Sequence, residues 1–353
     1  MWKTLSFEEC VVKVKTPYKL PKSKYKEKGI FPVISQETDF ISGYHDDDKN
    51  TFKVDKPVIV FGDHTRVLKY IDFDFVSGAD GVKIIKPINE IDTKFLYYML
   101  HILIPNTTGY ARHYKLLKEL NISFPPLAEQ ERIVAKLDAA FAEIDEAIES
   151  TSKSIKNSLS LRVSALAVVT EHNGSDKTTK TLGELFKLSS GKFLPKKEMN
   201  TDGSIKVIGG NGVVGSHDEA NLSGTNVVIG RVGAKCGNVH FFDEDIWLTD
   251  NAMYAHSFSF VLDEEFLAQA LASLNLGAYA RQAAQPVISF SSIKDVPLTF
   301  PLSLSEQREI VSKYNKIKVL TDLLIETRSR QMIELNYLKS AILEQELQSS
   351  EAA

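Results

Sequence analysis

The sequence predicts an α+β chain in which two similar globular units are separated by a pair of long antiparallel helices (a coiled coil), as a pseudo-two-fold internal repeat. Three observations predict it. One stretch occurs twice, as Phe124-Pro-Pro-Leu-Ala-Glu-Gln-Glu-Arg-Ile-Val-Ala-Lys-Leu and as Phe300-Pro-Leu-Ser-Leu-Ser-Glu-Gln-Arg-Glu-Ile-Val-Ser-Lys-Tyr. The opening Lys3-Thr4-Leu5 returns as Lys180-Thr181-Leu182, and this pair and the Glu129-Gln130/Glu306-Gln307 pair share one offset of 177 residues. Two anchors with the same offset indicate a tandem duplication. Finally, each Glu-Gln segment opens a long run with apolar residues at threes and fours, the spacing of a helix with one apolar stripe.

These boundaries divide the chain into a first unit (1–125), a first helix (126–172), a second unit (173–300) and a second helix (301–353). In the first unit, Lys3 to Lys15 reads as a helical turn running into a strand. Ile30-Phe-Pro-Val-Ile is a short strand, and Thr38 to Asn50 a polar loop. Pro57-Val-Ile-Val-Phe-Gly62 is a β-branched run closed by glycine, the pattern of a buried strand. Gly81-Val-Lys-Ile-Ile-Lys-Pro87 is another. Thr93 to Leu103 is a helix stopped near Pro105.

The first long helix carries Ile133, Leu137, Phe141, Ile144, Ile148, Ile155, Leu159, Val163 and Leu166, with a gap at Thr151. About 40 residues rising 1.5 Å each make a rod of roughly 60 Å. Such a rod cannot bury its own stripe and requires a partner helix. The second helix, from about Ser305 to Gln348, offers Ile310, Tyr314, Ile317, Leu320, Leu324, Met332, Leu335, Leu338 and Ile342. His172 to Lys180 reads as a linker. The second unit repeats the first: Ser204-Ile-Lys-Val-Ile-Gly matches the Ile30 strand, and Asn226-Val-Val-Ile-Gly-Arg matches the Pro57 strand. Glu264 to Leu274 matches the Thr93 helix, and Gly277-Ala-Tyr-Ala-Arg281 matches Gly109-Tyr-Ala-Arg112. The middle portions differ.

An apolar fraction of 43% and a charged fraction of 25% are those of a soluble globular protein. No apolar run is long enough to span a bilayer, and the N-terminus turns acidic too early for a signal peptide. Cys10 and Cys236 form no C-x-x-C pair, which argues against a disulfide framework or structural zinc and fits a reducing cytoplasm. A net charge of −4 gives no global signature of nucleic-acid binding, so any such role rests on local patches or partners.

Gly210-Asn-Gly-Val-Val-Gly215 matches G-x-G-x-x-G after a strand, but no helix opening and no acidic residue at ribose distance follow. A loop that lets backbone approach a surface is the better reading. Gly230-Arg-Val-Gly-Ala-Lys-Cys-Gly-Asn238 is a hairpin-like connection presenting Arg231, Lys235 and Asn238; Arg and Asn read guanine and adenine edges, and Lys neutralises phosphate. Seven lysines between Lys13 and Lys28 form either a solvated face or a phosphate contact. Asp46-Asp47-Asp48 reads as a solvated turn. No P-loop, no nucleophile elbow and no histidine pair at ligand spacing is present.

With both Pro-Leu-x-Glu-Gln-x-x-Ile-Val segments in place, the chain resembles the specificity (S) subunit of type I restriction-modification systems over nearly its whole length. Pro126-Leu-Ala-Glu-Gln-Glu-Arg-Ile-Val134 is similar to the segment that opens that family's helices. Gly230-Arg-Val-Gly-Ala-Lys-Cys-Gly-Asn-Val and Trp247-Leu-Thr-Asp-Asn-Ala252 resemble the strand-loop-strand centre of its target-recognition domains. The first unit departs from this pattern, with Gly62-Asp-His-Thr-Arg-Val-Leu-Lys in the corresponding place. The resemblance implies two target-recognition domains and a non-catalytic, cytoplasmic reader of double-stranded DNA. Each domain would read one half of a bipartite, asymmetric site, and the helices would set the gap. Two methyltransferase subunits would dock on the helices and restriction subunits would join. The chain itself would carry no cofactor; S-adenosylmethionine, ATP and Mg would belong to the partners.

The candidate DNA contacts are Lys22, Lys24, Lys26, His64, Arg66 and Arg112 in the first unit. In the second they are Lys192, Lys196, Lys197, Asn211, His217, Arg231, Lys235, Asn238 and Arg281. They are polar residues in loops that differ between the copies, or basic residues nearby. Arg112 and Arg281 occur in both copies and suit a phosphate or structural role. Two other classes stay open: a coiled-coil scaffold with two ligand-binding heads and no DNA role, and a nucleotide-binding enzyme.

Overall fold

A computed structural model describes residues 2–15, 18–79, 81–104, 112–171, 176–281 and 285–348. The chain forms two compact units, one of residues 1–150 with 331–353, the other of residues 151–330.

The first unit opens with strand Lys3–Ser6, paired antiparallel with Asn121–Phe124, the strand that enters the first long helix. A short helix, Phe7–Cys10, follows, with Ser6 and Glu9 forming a capping box. A four-stranded antiparallel sheet then runs in the order Val11–Val12, Val82–Pro87, Val58–Gly62, Leu68–Ile71. A second sheet has the order Gly43–His45, Phe31–Ile34, Phe75–Ser77, Thr51–Phe52, with Phe31–Ile34 parallel to Phe75–Ser77. Strand Val58–Gly62 is buried throughout. Ile59 and Phe61 face the core shared with helix Thr93–Leu103, while Val58 and Val60 pack with Ile34 and Phe75. Side chains alternate across a strand, so a strand covered on both faces reads as an unbroken apolar run.

The second unit repeats this plan. Strand Lys177–Thr181 pairs antiparallel with Pro297–Pro301, which enters the second long helix. The four-stranded sheet runs Lys187–Ser190, Ala252–His256, Thr225–Gly230, Val239–Asp243, the same order as in the first unit. A three-stranded sheet joins Gly212–His217, Ile205–Gly209 and Ile246–Leu248, the last two parallel. Val227 and Ile229 face the core beneath helix Glu264–Ser273, and Val228 packs with Ile208 and Leu248.

The N-terminal register of the repeat differs from the one the letters suggest. Thr181 and Glu184 form the capping box that Ser6 and Glu9 form in the first copy. Lys3-Thr4-Leu5 therefore corresponds to Thr178-Thr179-Lys180, not to Lys180-Thr181-Leu182, and the shared 177-residue offset was a coincidence of similar letters. The cross-strand hydroxyl pairs agree: Thr4 with Ser123 and Thr179 with Thr299, each at 2.9 Å. Two smaller differences appear. A strand precedes the opening turn, and the loop from Thr38 to Asn50 contains strand Gly43–His45 and a 3-10 turn at Asp48–Asn50. Pro105, Gly109-Tyr110-Ala111 and the start of the linker at His172 lie outside the described residues.

The long helices span Leu127–Glu171 and Leu304–Gln348. In the first unit, Lys136 pairs with Glu346 at 2.7 Å and Asp145 with Lys339 at 2.8 Å, an antiparallel register. Phe141, Ile144 and Ile148 pack there with Leu335, Ile342, Leu343 and Leu347. In the second unit, Arg162 pairs with Asp322, and Leu166 and Tyr314 share a core, again antiparallel. Midway, the expected stripe shifts. Leu159, Val163, Leu320, Leu324 and Leu338 are exposed, whereas Thr151, Ser158 and Thr321 are buried. Ser158 and Thr321 return their hydroxyls to the carbonyls of Ser154 and Ile317, both at 2.9 Å, which lets them face inward without orphaned donors.

Candidate nucleic-acid interface

In the second unit the differing loops converge. The strand Ile205–Gly209 turns at Gly210-Asn211 into Gly212–His217, so the glycine-rich run opens a β-hairpin. Residues 231–238 connect Thr225–Gly230 to Val239–Asp243, and Ile229 pairs with Val239. A Cβ on Gly230 would lie 2.0 Å from the Gly210 carbonyl oxygen, so glycine permits this backbone approach. Gly237, at φ +90°, similarly lies against the Gly277 backbone.

This approach brings Asn211 and Asn238 together: Asn238 Nδ2 donates to Asn211 Oδ1 at 2.9 Å. Asn211 and Lys235 line one open groove of about 550 Å³ with Phe193, Met199, Val214 and Gln285. Phe193 is 71% exposed, and Val213 and Val214 on the hairpin are more than half exposed. Arg231 is half-buried and donates Nη1 to the Asp250 carbonyl at 3.2 Å. His217 stands edge-on to Trp247, ring centroids 4.9 Å apart. The Trp247 indole N–H donates to the Lys192 carbonyl, and Lys192 is exposed. Lys196 and Lys197 sit exposed in the 3-10 turn Lys196–Glu198, capped by Pro195. Arg281 is exposed, with its backbone bridged to Val287.

The first unit presents a different surface. The turn Lys22–Lys24 after Pro21 has the same backbone as the Pro195 turn, φ −63° and ψ 143° at each proline. Lys22 pairs with Glu37 at 2.6 Å and Lys26 with Asp46 at 2.7 Å; Lys24 is exposed. His64 and Arg66 lie in the tight turn leaving Gly62, with Arg66 left-handed at φ 62°. The His64 amide donates to Gln36 Oε1 at 3.2 Å. Arg112 is exposed, and the next residue, His113, is buried. Asp47 caps the 3-10 turn and Asp48 pairs with Lys53 at 2.5 Å.

Sequence reasoning missed three contributors. Lys69 is 3% exposed and donates to the carbonyls of Ser35, Asp39 and Phe40, fixing the loop beside the turn at His64. Burial holds its amine below the ordinary lysine range. Gln36 ties the two loops of the first unit, and Phe193 stands exposed in the second. Only the last had a signal, an apolar residue between Lys192 and the run Leu194-Pro195-Lys196-Lys197. Among the described residues there is no cluster of three metal-ligating side chains, and no helix is long and apolar enough to cross a membrane.

Residues 2–157 and 174–335 each match the type I restriction modification DNA specificity domain. The chain belongs to that family. The type I restriction enzyme EcoprrI specificity subunit of Escherichia coli is 29% identical over 174 residues, which cover 46% of this chain and 43% of that one. The EcoR124I/EcoR124II specificity subunit of the same organism is 31% identical over 91 residues, 25% of this chain and 22% of that one. The matched stretches thus span less than half the length of these relatives. A solved chain from work on complex assembly and conformational transition of the type I R-M system is 18% identical. It covers 98% of this chain and 97% of its own with a TM-score of 0.71, a likeness of fold.

Proposed function

We propose that this specificity-family chain is the non-catalytic DNA-recognition subunit of a type I restriction-modification complex, each unit reading one half of a bipartite, asymmetric site. One observation carries the reading. The units share strand order, capping boxes and entry strands, yet the loops that reach the surface differ in length, partners and charge. A repeated scaffold fixes position, and unlike loops select unlike sequences.

The helices would dock two methyltransferase subunits, with restriction subunits joining them. Exposed Leu320, Leu323 and Leu324 in the second unit support this, since contiguous exposed apolar side chains mark association surfaces. S-adenosylmethionine, ATP and Mg would be bound by those partners, in the cytoplasm. Lysines and arginines at the loops would contact phosphate, and Arg231, Asn211 and Asn238 base edges.

Co-expression with the neighbouring methyltransferase, followed by genome-wide mapping of methylated adenines, tests the proposal. The expected motif has two unlike halves and a fixed gap; a palindrome, or no motif at all, overturns it. Arg231→Ala should relax one half only.

A further inference from the structure

The Asn211–Asn238 pair has a chemistry that neither residue has alone. A side-chain amide offers one amino and one carbonyl group. Whichever way the two amides are turned, one bond between them leaves one amino and one carbonyl group free on the joined pair. Here the free groups are Asn211 Nδ2 and Asn238 Oδ1, and neither has a protein partner among the described residues. Both side chains are exposed; Asn211 lines the groove with Lys235, and Asn238 lines a neighbouring cavity with the same Lys235.

Among single bases, a neighbouring donor and acceptor match the major-groove edge of one. Adenine presents the N7 acceptor beside the N6 amino donor. Guanine presents two acceptors, cytosine a donor, and thymine an acceptor beside a methyl group. Among the described residues, the equivalent place in the first unit offers no such pair. Gln36 follows the equivalent strand, but its carbonyl accepts the His64 amide, and its backbone carbonyl accepts the Thr65 hydroxyl at 2.5 Å.

We propose that Asn211 and Asn238 form a composite reader of one adenine in the half-site of the second unit, Asn211 Nδ2 donating to N7 and Asn238 Oδ1 accepting from N6. This rests on the DNA-reading function proposed above. The two residues act as one device, since either alone leaves the other amide free to turn. Lys235 beside them is placed for the flanking phosphate.

The test uses the complex of this chain with its methyltransferase. Methylation maps of the wild type, Asn211→Ala, Asn238→Ala and the double variant are compared. Each single variant should lose about 10-fold of discrimination at one A·T pair, the range of a bidentate base contact. The double variant should lose no more than either single one. Placing 7-deazaadenine at that position should weaken wild-type binding by a similar factor and leave Asn211→Ala binding unchanged. A purely structural amide pair would lower the melting temperature without relaxing any A·T position, and that result overturns the proposal. So does wild-type binding that is indifferent to 7-deazaadenine at every adenine of that half. A wild type with no methylation motif instead overturns the DNA-reading function, and this inference falls with it.

Discussion

The buried side chain of Gln130 accepts the backbone N–H of Asp92 at 2.8 Å, 38 residues earlier in the chain. Its amino group donates to the carbonyls of Pro125 and Glu90, at 2.8 and 2.9 Å. Asp92 in turn caps helix Thr93–Leu103 through the amides of Lys94 and Phe95. Gln307 repeats the arrangement, accepting from Asp263 N at 2.8 Å and donating to the Pro301 carbonyl at 2.8 Å. The repeated Glu-Gln therefore marks a fastening between the long helix, its entry strand and the capped helix of the same unit. Gln130→Leu strands one buried donor and two acceptors, so it should cost about 3 kcal/mol in urea unfolding. Gln130→Glu keeps the acceptor but sets a carboxylate against two carbonyls, and should cost at least as much.

Lys69 is a second buried fastening, and its loss should be local. Lys69→Met retains most of the apolar stem but leaves the carbonyls of Ser35, Asp39 and Phe40 without their shared donor. Removing a desolvated charge offsets part of that loss, so the net cost should stay near 1–2 kcal/mol. Amide exchange should accelerate across residues 35–42 and stay unchanged in helix Thr93–Leu103. Uniform acceleration through the first unit would contradict this account.

The duplication was legible because its strands are buried on both faces and its helices open on the same polar segment. Those features are local letters. The role of Gln130 was not legible, because its partners Asp92 and Glu90 are distant in sequence and both contribute only backbone atoms. The N-terminal register slipped because Lys-Thr-Leu recurs beside the true equivalence, which is carried by Ser6/Glu9 and Thr181/Glu184. The apolar stripe failed at Leu320 and Leu324 because the buried positions there belong to Thr151, Ser158 and Thr321. Lys69 was hidden by its type, since lysines rarely sit inside. At the candidate interface, residue types pointed to Asn211 and Asn238 separately. Only the glycine-to-glycine backbone approach joins them.

Cys10 gives a pH-dependent prediction. Burial, followed by the charge of Glu9, pushes its thiol from 9.0 up to about 11. A raised thiol pKa means the unfolded chain ionises first as pH rises. The stability linked to this group is complete below pH 9 and is lost as pH climbs towards 11. The native thiol should resist alkylation at mildly alkaline pH and react once urea unfolds the first unit. Cys10→Ala should be destabilised by packing loss near neutrality, and its deficit should shrink at about pH 10. A deficit that widens with pH would refute the assignment.

The helix pair separates stability from assembly. Ile144 is 6% exposed and packs in the core that holds Phe141, Leu343 and Leu347. Ile144→Asp buries a carboxylate with no partner and should cost more than about 4 kcal/mol, enough to unfold the first unit at moderate temperature. Leu324 is 38% exposed, so Leu324→Asp should change stability by less than about 1 kcal/mol. If Leu320, Leu323 and Leu324 form a docking row, Leu324→Asp should nonetheless abolish co-purification with the methyltransferase at an unchanged melting temperature. A variant that melts normally and still assembles would move the docking surface elsewhere on the helices, and Leu159, Leu161 and Val163, exposed in the same unit, would be the next residues to charge.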